Sequence, residues 1–264
     1  MSKGGGALLT KFFEAVGSIV IKIFEGIGTI TLLYVDTIRQ ATRKPRMGLI
    51  LAQMSHLGVD SLVIVSLTLL FTGVVFTLQT AHEFIRFGAQ STVGGVISIA
   101  IGRELGPVLV GVVCAGRVGA AITAEISTMK VTEQIDALKV MAVSPVNYLI
   151  VPRMIACMIA VPILTVFGDI IGVLGGWIVA TQYSGISSYV FVNSIKIFAT
   201  IHDLTGGMIK AIFFGNVIAV LGCYYGLNCP DGAEGVGKAT TKTVVTSIIV
   251  IFILNALLTF FIYR

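Results

Sequence analysis

The sequence predicts an all-α polytopic membrane protein with five transmembrane helices. An N-terminal amphipathic interfacial helix precedes them, and a short charged helix lies between two of them. Three observations predict this. Of 264 residues, 56% are hydrophobic and only 12% charged, where a soluble domain is nearer half apolar and a quarter charged. Five stretches approach or exceed the length of about 20 apolar residues that a spanning helix needs. Strand-like alternation is absent, so helices rather than a barrel satisfy the backbone in lipid.

The first element is the interfacial helix, over about residues 7–31. Lys11, Glu14, Ser18, Lys22, Glu25 and Thr29 recur at steps of three and four, and Leu9, Phe12, Phe13, Val16, Ile19, Val20, Ile23, Phe24 and Ile27 fill the other faces. One narrow polar stripe on an apolar helix fits the plane of a membrane surface. A helix packed on other protein would show the same pattern. A signal peptide is not expected, because Lys11 and Glu14 interrupt the apolar run. Arg39, Arg43, Lys44 and Arg46 surround Pro45, a basic cluster suited to cytoplasmic headgroups. Residues 1–50 are thus read as an N-terminal helix with a basic linker, and 51–264 as the transmembrane domain.

The spans follow at about 59–80, 93–123, 150–180, 208–227 and 244–263. His82, Glu83 and Arg86 mark a short outer loop. The second span is too long for a simple crossing, and Gly102, Gly106 and Pro107 interrupt it, so a kink or break is expected near Arg103. The third is also long, with Pro152 and Pro162 near its start. Residues 181–205 read as a polar outer loop and 228–242 as a tight inner one. Placing the N-terminus inside puts Lys130, Lys139, Lys238 and Lys242 inside too, against Arg86, Lys196 and Arg264 outside and Lys210 at a span end. That asymmetry sets the orientation.

The net charge of +5 therefore reflects membrane topology rather than nucleic-acid binding, for which no aromatic interleaving exists. Cys114, Cys157, Cys223 and Cys229 form no CxxC pair and read as small buried hydrophobes. Small residues repeat every four along Gly168, Gly172, Gly176, along Gly207, Ala211, Gly215, Ala219, and along Gly111, Ala115, Gly119. Such faces let helices approach closely, within one chain or across a dimer.

One motif is a trap. Residues 232–239 read GAEGVGKA, a GxxxxGK followed by Ala where a phosphate loop needs Ser or Thr, with no strand before it. A flexible inner turn is the plain reading. No HExxH, no Ser–His–Asp ordering and no paired Cys/His ligands occur, and His56, His82 and His202 lie far apart. Arg103 and Glu104 are different, since a charge at a helix centre costs about 2.5–3.5 kcal/mol on insertion scales and normally faces a cavity or a partner. Successive residues point about 100° apart, so they cannot simply pair with each other. Either they serve function or they hold helices in register. Asp169, beside Gly168, is expected to bond across helices. Residues 125–141 read as one amphipathic cytosolic helix with Ile126, Met129, Ile135, Leu138 and Met141 broadly on one side and Lys130, Glu133, Gln134, Asp136 and Lys139 on the others. Such a helix suits docking to a peripheral protein or anchoring at the interface.

Several of these residues carry a resemblance. RELGPVLVGVVCAGRVGAAITAEI from Arg103, TMKVTEQIDALKVMAVSP from Thr128, the pair Pro152–Arg153 and GVGKATTKTVV from Gly235 are similar to the MlaE-like family of ABC transporter permeases. The family keeps Gly after the AEI element, where Ser127 stands here. The resemblance implies a homodimeric, non-catalytic permease in the inner (cytoplasmic) membrane with its N-terminus cytoplasmic. It implies phospholipid or a related lipid as substrate, a separate ATPase that binds the ATP, and an MCE-domain protein on the outer face. No cofactor is expected in this chain. The helix at 125–141 becomes the coupling helix, with Glu125, Met129, Lys130, Glu133, Gln134, Asp136 and Leu138 as the ATPase-contacting residues.

Two bent second spans in such a dimer would frame a cavity reached from the outer side. Leu70, Val74, Val75 and Leu78 supply its apolar wall, and Glu104 and Arg103 its polar edge, with Glu104 expected to face the cavity and Arg103 to hold the local structure. The competing class is an ion-coupled secondary transporter using Arg103, Glu104 and Asp169 as a relay. Against it, acidic residues are few and the halves show no inverted symmetry.

Overall fold

The computed structural model describes residues 3–42 and 46–264; side chains are described from Gly17 onward, except those of residues 19, 20, 22 and 23. The expected basic residues Arg43 and Lys44, with Pro45, lie outside the described residues. So do the side chains of Leu9, Lys11, Phe12, Phe13, Glu14, Val16, Ile19, Val20, Lys22 and Ile23.

The described residues form helices and connecting turns, with no strand among them. Helix α1 (Lys3–Ala41) is longer than its polar stripe predicts. The first span, Met47–Arg86, joins α2 (Met47–Gly58) to α3 (Leu62–Arg86) through a 3-10 turn at Val59–Ser61. The second, Gln90–Val131, contains α4 (Val93–Ala100), α5 (Gly106–Cys114) and α6 (Ala120–Val131). The third, Val146–Gln182, is largely α8 (Val151–Gln182). The fourth and fifth are α10 (Ile201–Leu227) and α11 (Gly232–Ile262). All five are long and apolar enough to cross a membrane.

The second span is not broken at Arg103. It widens into a π-helical turn at Ile101–Leu105, and again at Ala115–Gly119. Pro107 fits at the start of α5, since it lacks an N–H and would otherwise clash with the preceding turn. Backbone freed in this way is tolerated in a membrane only where protein or water re-satisfies it.

Two expected loops are structured. Segment 181–205, expected as an outer loop, contains α9 (Ser188–Phe198). Glycines 94 and 95 accept it: a Cβ on Gly94 would lie 2.3 Å from the Phe191 carbonyl oxygen, and the Gly95 amide donates to Ser194 Oγ at 2.9 Å. The inner segment 228–242 is a loop only to Asp231, because α11 begins at Gly232. The phosphate-loop look-alike therefore forms the first turns of that helix, with Glu234 and Lys238 paired four residues apart at 2.5 Å.

The single helix expected over 125–141 is two. The second span ends at Val131, and α7 (Gln134–Val140) starts after Glu133, whose φ of 59° is left-handed. The Thr132 hydroxyl bonds back to the Thr128 carbonyl at 2.8 Å, and the Glu133 amide tightens onto the Lys130 carbonyl. A left-handed residue after the last turn is the ordinary way for a helix to stop.

The spans pack through small residues. A Cβ on Gly73 would sit 1.9 Å from the Gly172 carbonyl oxygen, and one on Gly215 would sit 2.4 Å from the Cys157 carbonyl oxygen. Lipid tails are as apolar as leucine, so close backbone approach rather than the hydrophobic effect holds such helices together. The core runs through Leu69, Val110, Cys114, Ile122, Cys157, Phe214 and Ile218. All four cysteines are buried and free.

Candidate functional site

The π-helical turn at Ile101–Leu105 aims two adjacent charges at the fourth and fifth spans. Arg103 pairs through Nε with Asp203. Its guanidinium carbon lies 4.7 Å from the centroid of the Tyr263 ring. Asp203 also accepts from the Thr200 amide at 2.7 Å and from the Thr200 hydroxyl at 2.9 Å, completing the N-terminal cap of α10. That box both starts the fourth span and fixes the partner of Arg103.

Glu104 faces a second set. Lys210, fully buried in α10, donates to Glu104 Oε1 at 2.7 Å. From α11, Asn255 donates to Oε2 and Thr259 to Oε1, each at 2.9 Å. Lys210 also donates to the Arg103 carbonyl at 2.9 Å. Pro107 has no N–H, so a carbonyl of the turn before it lacks a helical donor, and the ammonium supplies one. Gly207 permits the approach: a Cβ there would lie 2.2 Å from the Gly102 carbonyl oxygen. Each ammonium N–H thus has an acceptor, since Lys210 further donates to Thr259 Oγ1 at 2.8 Å.

The sequence reading placed Lys210 at a span end and passed over Asp203, Asn255, Thr259 and Tyr263. The missed signal is charge compensation. Asp203 and Lys210 are seven residues, two turns, apart and share one face of α10, which matches the acid and base needed by Arg103 and Glu104. Neither charge is fully enclosed, with side-chain exposure of 37% for Arg103 and 36% for Glu104. Glu104 is therefore held rather than free, and both residues hold local structure.

Asp169 does not bond across helices. It is buried, and neither carboxylate oxygen has a hydrogen-bond partner among the described residues. Among the described residues no hydrogen-bonded path joins it to Arg103 or Glu104.

The expected apolar wall is split. Leu70 and Val74 lean on the third span, within 3.0 Å and 3.4 Å of where a Gly175 Cβ would be. Val75 and Leu78 are exposed, and Val75 lines a recess with Phe71, Phe76 and Leu105, the neighbour of Glu104. The partners of the Glu104 carboxylate come from α10 and α11, not α3.

The opposite end of the spans carries its own ties. Arg117, in the second π-helical turn, donates to Ser61 Oγ at 2.6 Å and lies 3.9 Å from Asp60. Glu125 is bonded to buried Arg153 at 2.7 Å, and His56 Nδ1 lies 3.8 Å from it. Lys130 donates to the Cys229 carbonyl at 2.7 Å, pinning the inner loop. Of the expected coupling residues, Met129 and Leu138 pack on this chain's own core beside buried Ile135. Glu133, Gln134 and Asp136 are exposed, as are Val140 and Met141. Among the described residues no cluster of His, Cys, Asp or Glu is arranged to hold a metal.

Five helices long and apolar enough to cross a membrane, tied together by part-buried ion pairs, fit a multi-pass membrane protein. The family described as Permease MlaE matches residues 50–261, and the chain belongs to it. A relative from Synechocystis sp., named "Probable ABC transporter permease protein", is 45% identical over 214 residues, 81% of each chain. One from Rickettsia conorii with the same description is 40% identical over 255 residues, 96% of this chain and 94% of that one. The chloroplastic protein TRIGALACTOSYLDIACYLGLYCEROL 1 of Arabidopsis thaliana is 39% identical over 214 residues, 81% of this chain and 61% of that one. The chain is thus an ABC transporter permease, a class that is typically non-catalytic and implies an ATPase partner.

Proposed function

We infer that this chain is the permease subunit of a transporter that moves phospholipid or a related lipid between the inner membrane and an outer-side MCE-domain protein. A separate ATPase drives it, and this chain binds no cofactor of its own. Two copies form the working unit, with the N-terminus cytoplasmic and α1 in the membrane interface. The observation that carries this reading is the half-exposed Glu104, held by Lys210, Asn255 and Thr259 on the edge of an apolar face. Elsewhere on α11, Phe252, Ile253, Leu257, Phe260 and Phe261 are exposed, and a second copy would cover them. A charged edge beside apolar walls suits a lipid, with its head group at Glu104 and Arg103 and its tails along Val75 and Leu78. The Arabidopsis relative is named after a galactolipid, which favours a lipid cargo. The exposed tip Glu133, Gln134 and Asp136, with Val140 and Met141, is the surface offered to the ATPase; Glu125, Met129, Lys130 and Leu138 hold that tip from within this chain.

A photo-crosslinking residue at Glu104, in the complex with its ATPase and MCE-domain protein, tests it. Lipid captured at Glu104 and much less at Trp177, with capture changing on ATP addition, is the expected result. Equal capture at both positions, insensitive to ATP, defeats the reading.

A further inference from the structure

The second, third and fourth spans border an open pocket of about 340 Å³ whose lining includes Ser98, Asp169, Ile170, Leu174, Thr200 and Asp203. Its composition is two-sided. Ile170, Val173, Leu174 and Leu204 are apolar, and Ile170 and Leu174 are 54% and 49% exposed on the outer surface of the helices. The pocket therefore borders the region where lipid would lie. The polar groups are Ser98, Thr200 and two carboxylates.

The carboxylates are not equivalent. Asp203 is consumed by Arg103 and by both donors of Thr200. Asp169 is 7% exposed with neither oxygen bonded among the described residues. It is pressed against Gly106, where a Cβ would fall 1.7 Å from Asp169 Oδ1, so the glycine keeps the space the carboxylate occupies. An ionised carboxylate in an apolar setting is costly unless a cation joins it. The chain's own cations nearby are committed, Arg103 to Asp203 and Lys210 to Glu104.

We propose that this pocket is a binding site for an ammonium group carried on an apolar chain, with Asp169 as the counter-ion. Both Asp169 oxygens are closed to solvent in the structure, so the ammonium reaches them by a rotation of that side chain away from Gly106, toward the pocket that Ser98 and Thr200 also line, and the apolar substituent leaves past Ile170 and Leu174. A membrane lipid with a primary-amine head group and a free long-chain amine share this chemistry. The site is distinct from the Glu104 edge, whose carboxylate already accepts from Lys210, Asn255 and Thr259, and binding to it requires no ATPase.

The test uses the full chain in nanodiscs of phosphatidylglycerol, titrated with a spin-labelled long-chain primary amine. The matching spin-labelled alcohol is the neutral control. The amine should saturate a motionally restricted site that the alcohol does not fill. Asp169→Asn, nearly the same shape, should weaken amine binding about tenfold, as loss of a charge-assisted hydrogen bond does. Leu174→Trp should weaken it comparably by closing the mouth while leaving Asp169 in place. Competition then separates the sources. Displacement by phosphatidylethanolamine but not by aqueous ethylammonium identifies a lipid head group, and displacement by both identifies a site open to free amines as well. Equal amine binding by the parent and Asp169→Asn, or equal binding of amine and alcohol, overturns the proposal and leaves a neutral carboxylic acid buried for packing.

Discussion

Glu104 and Asp169 are both carboxylates in apolar spans, and the protein treats them in opposite ways. Glu104 has a buried ammonium, an amide and a hydroxyl directed at it from two helices. Asp169 has a glycine beside it and no partner among the described residues. The first pattern belongs to a group whose position matters; the second belongs to a group whose partner comes from elsewhere. The difference lies in the neighbours rather than the local sequence, since each carboxylate follows a short apolar run broken by glycine or arginine.

The largest effect that sharpens this contrast is Lys210→Met. It takes the ammonium from Glu104, which keeps Asn255 and Thr259, and frees the Arg103 carbonyl; breaking a fully buried pair from one side costs about 3–5 kcal/mol, and the partial exposure of Glu104 puts this one at the lower end. Unfolding temperature in detergent should fall steeply, and the double variant Glu104→Gln, Lys210→Met should recover most of the loss. Failure of the double variant to recover would mean the pair is not the unit it looks like. Arg103→Ala comes next, at about 2 kcal/mol, because Arg103 is partly exposed and Asp203 retains Thr200; folded yield measures it. Gly106→Ala drives a methyl into Asp169 and should cost about 1–3 kcal/mol as overpacking. Combined with Asp169→Ala the cost should shrink well below the sum, the coupling expected of touching residues. The smallest effect is Asp169→Asn, which without added amine should change stability by less than about 1 kcal/mol, since the carboxyl has no hydrogen-bond partner among the described residues to lose. A drop comparable to that of Glu104→Gln would erase the contrast.

How much of this was legible follows the same line. Arg103 and Glu104 stood out because a charge in an apolar run is visible without a partner. Lys210 and Asp203 did not, because near a span end a charge looks solvated, and only the packing of α10 on the π-helical turn shows otherwise. Asp169 was noticed and misjudged: the sequence shows a polar residue on a glycine face but not whether a donor lies opposite. The five spans were legible from length and apolarity. Helix α9 was not, since Ser187, Ser188, Tyr189, Asn193 and Lys196 read as a loop until Gly94 and Gly95 are seen to receive Phe191 and Ser194. The first turns of α11 were hidden by three glycines among Gly232, Gly235 and Gly237, ordinarily poor helix formers.

Glu133 carries a consequence for motion. Only Thr132 and Glu133 separate the second span from α7. Ile135 is buried against the body of the protein, and Lys130 grips the inner loop. A joint this short has little torsional slack. Rotation of the second span about its own axis must swing α7, and a push on α7 must twist the span that bears Arg103 and Glu104 some 30 residues earlier in the chain, roughly 45 Å at 1.5 Å per residue. The arrangement is that of a crank: displacement at α7 is converted into rotation at the far end of the same rod.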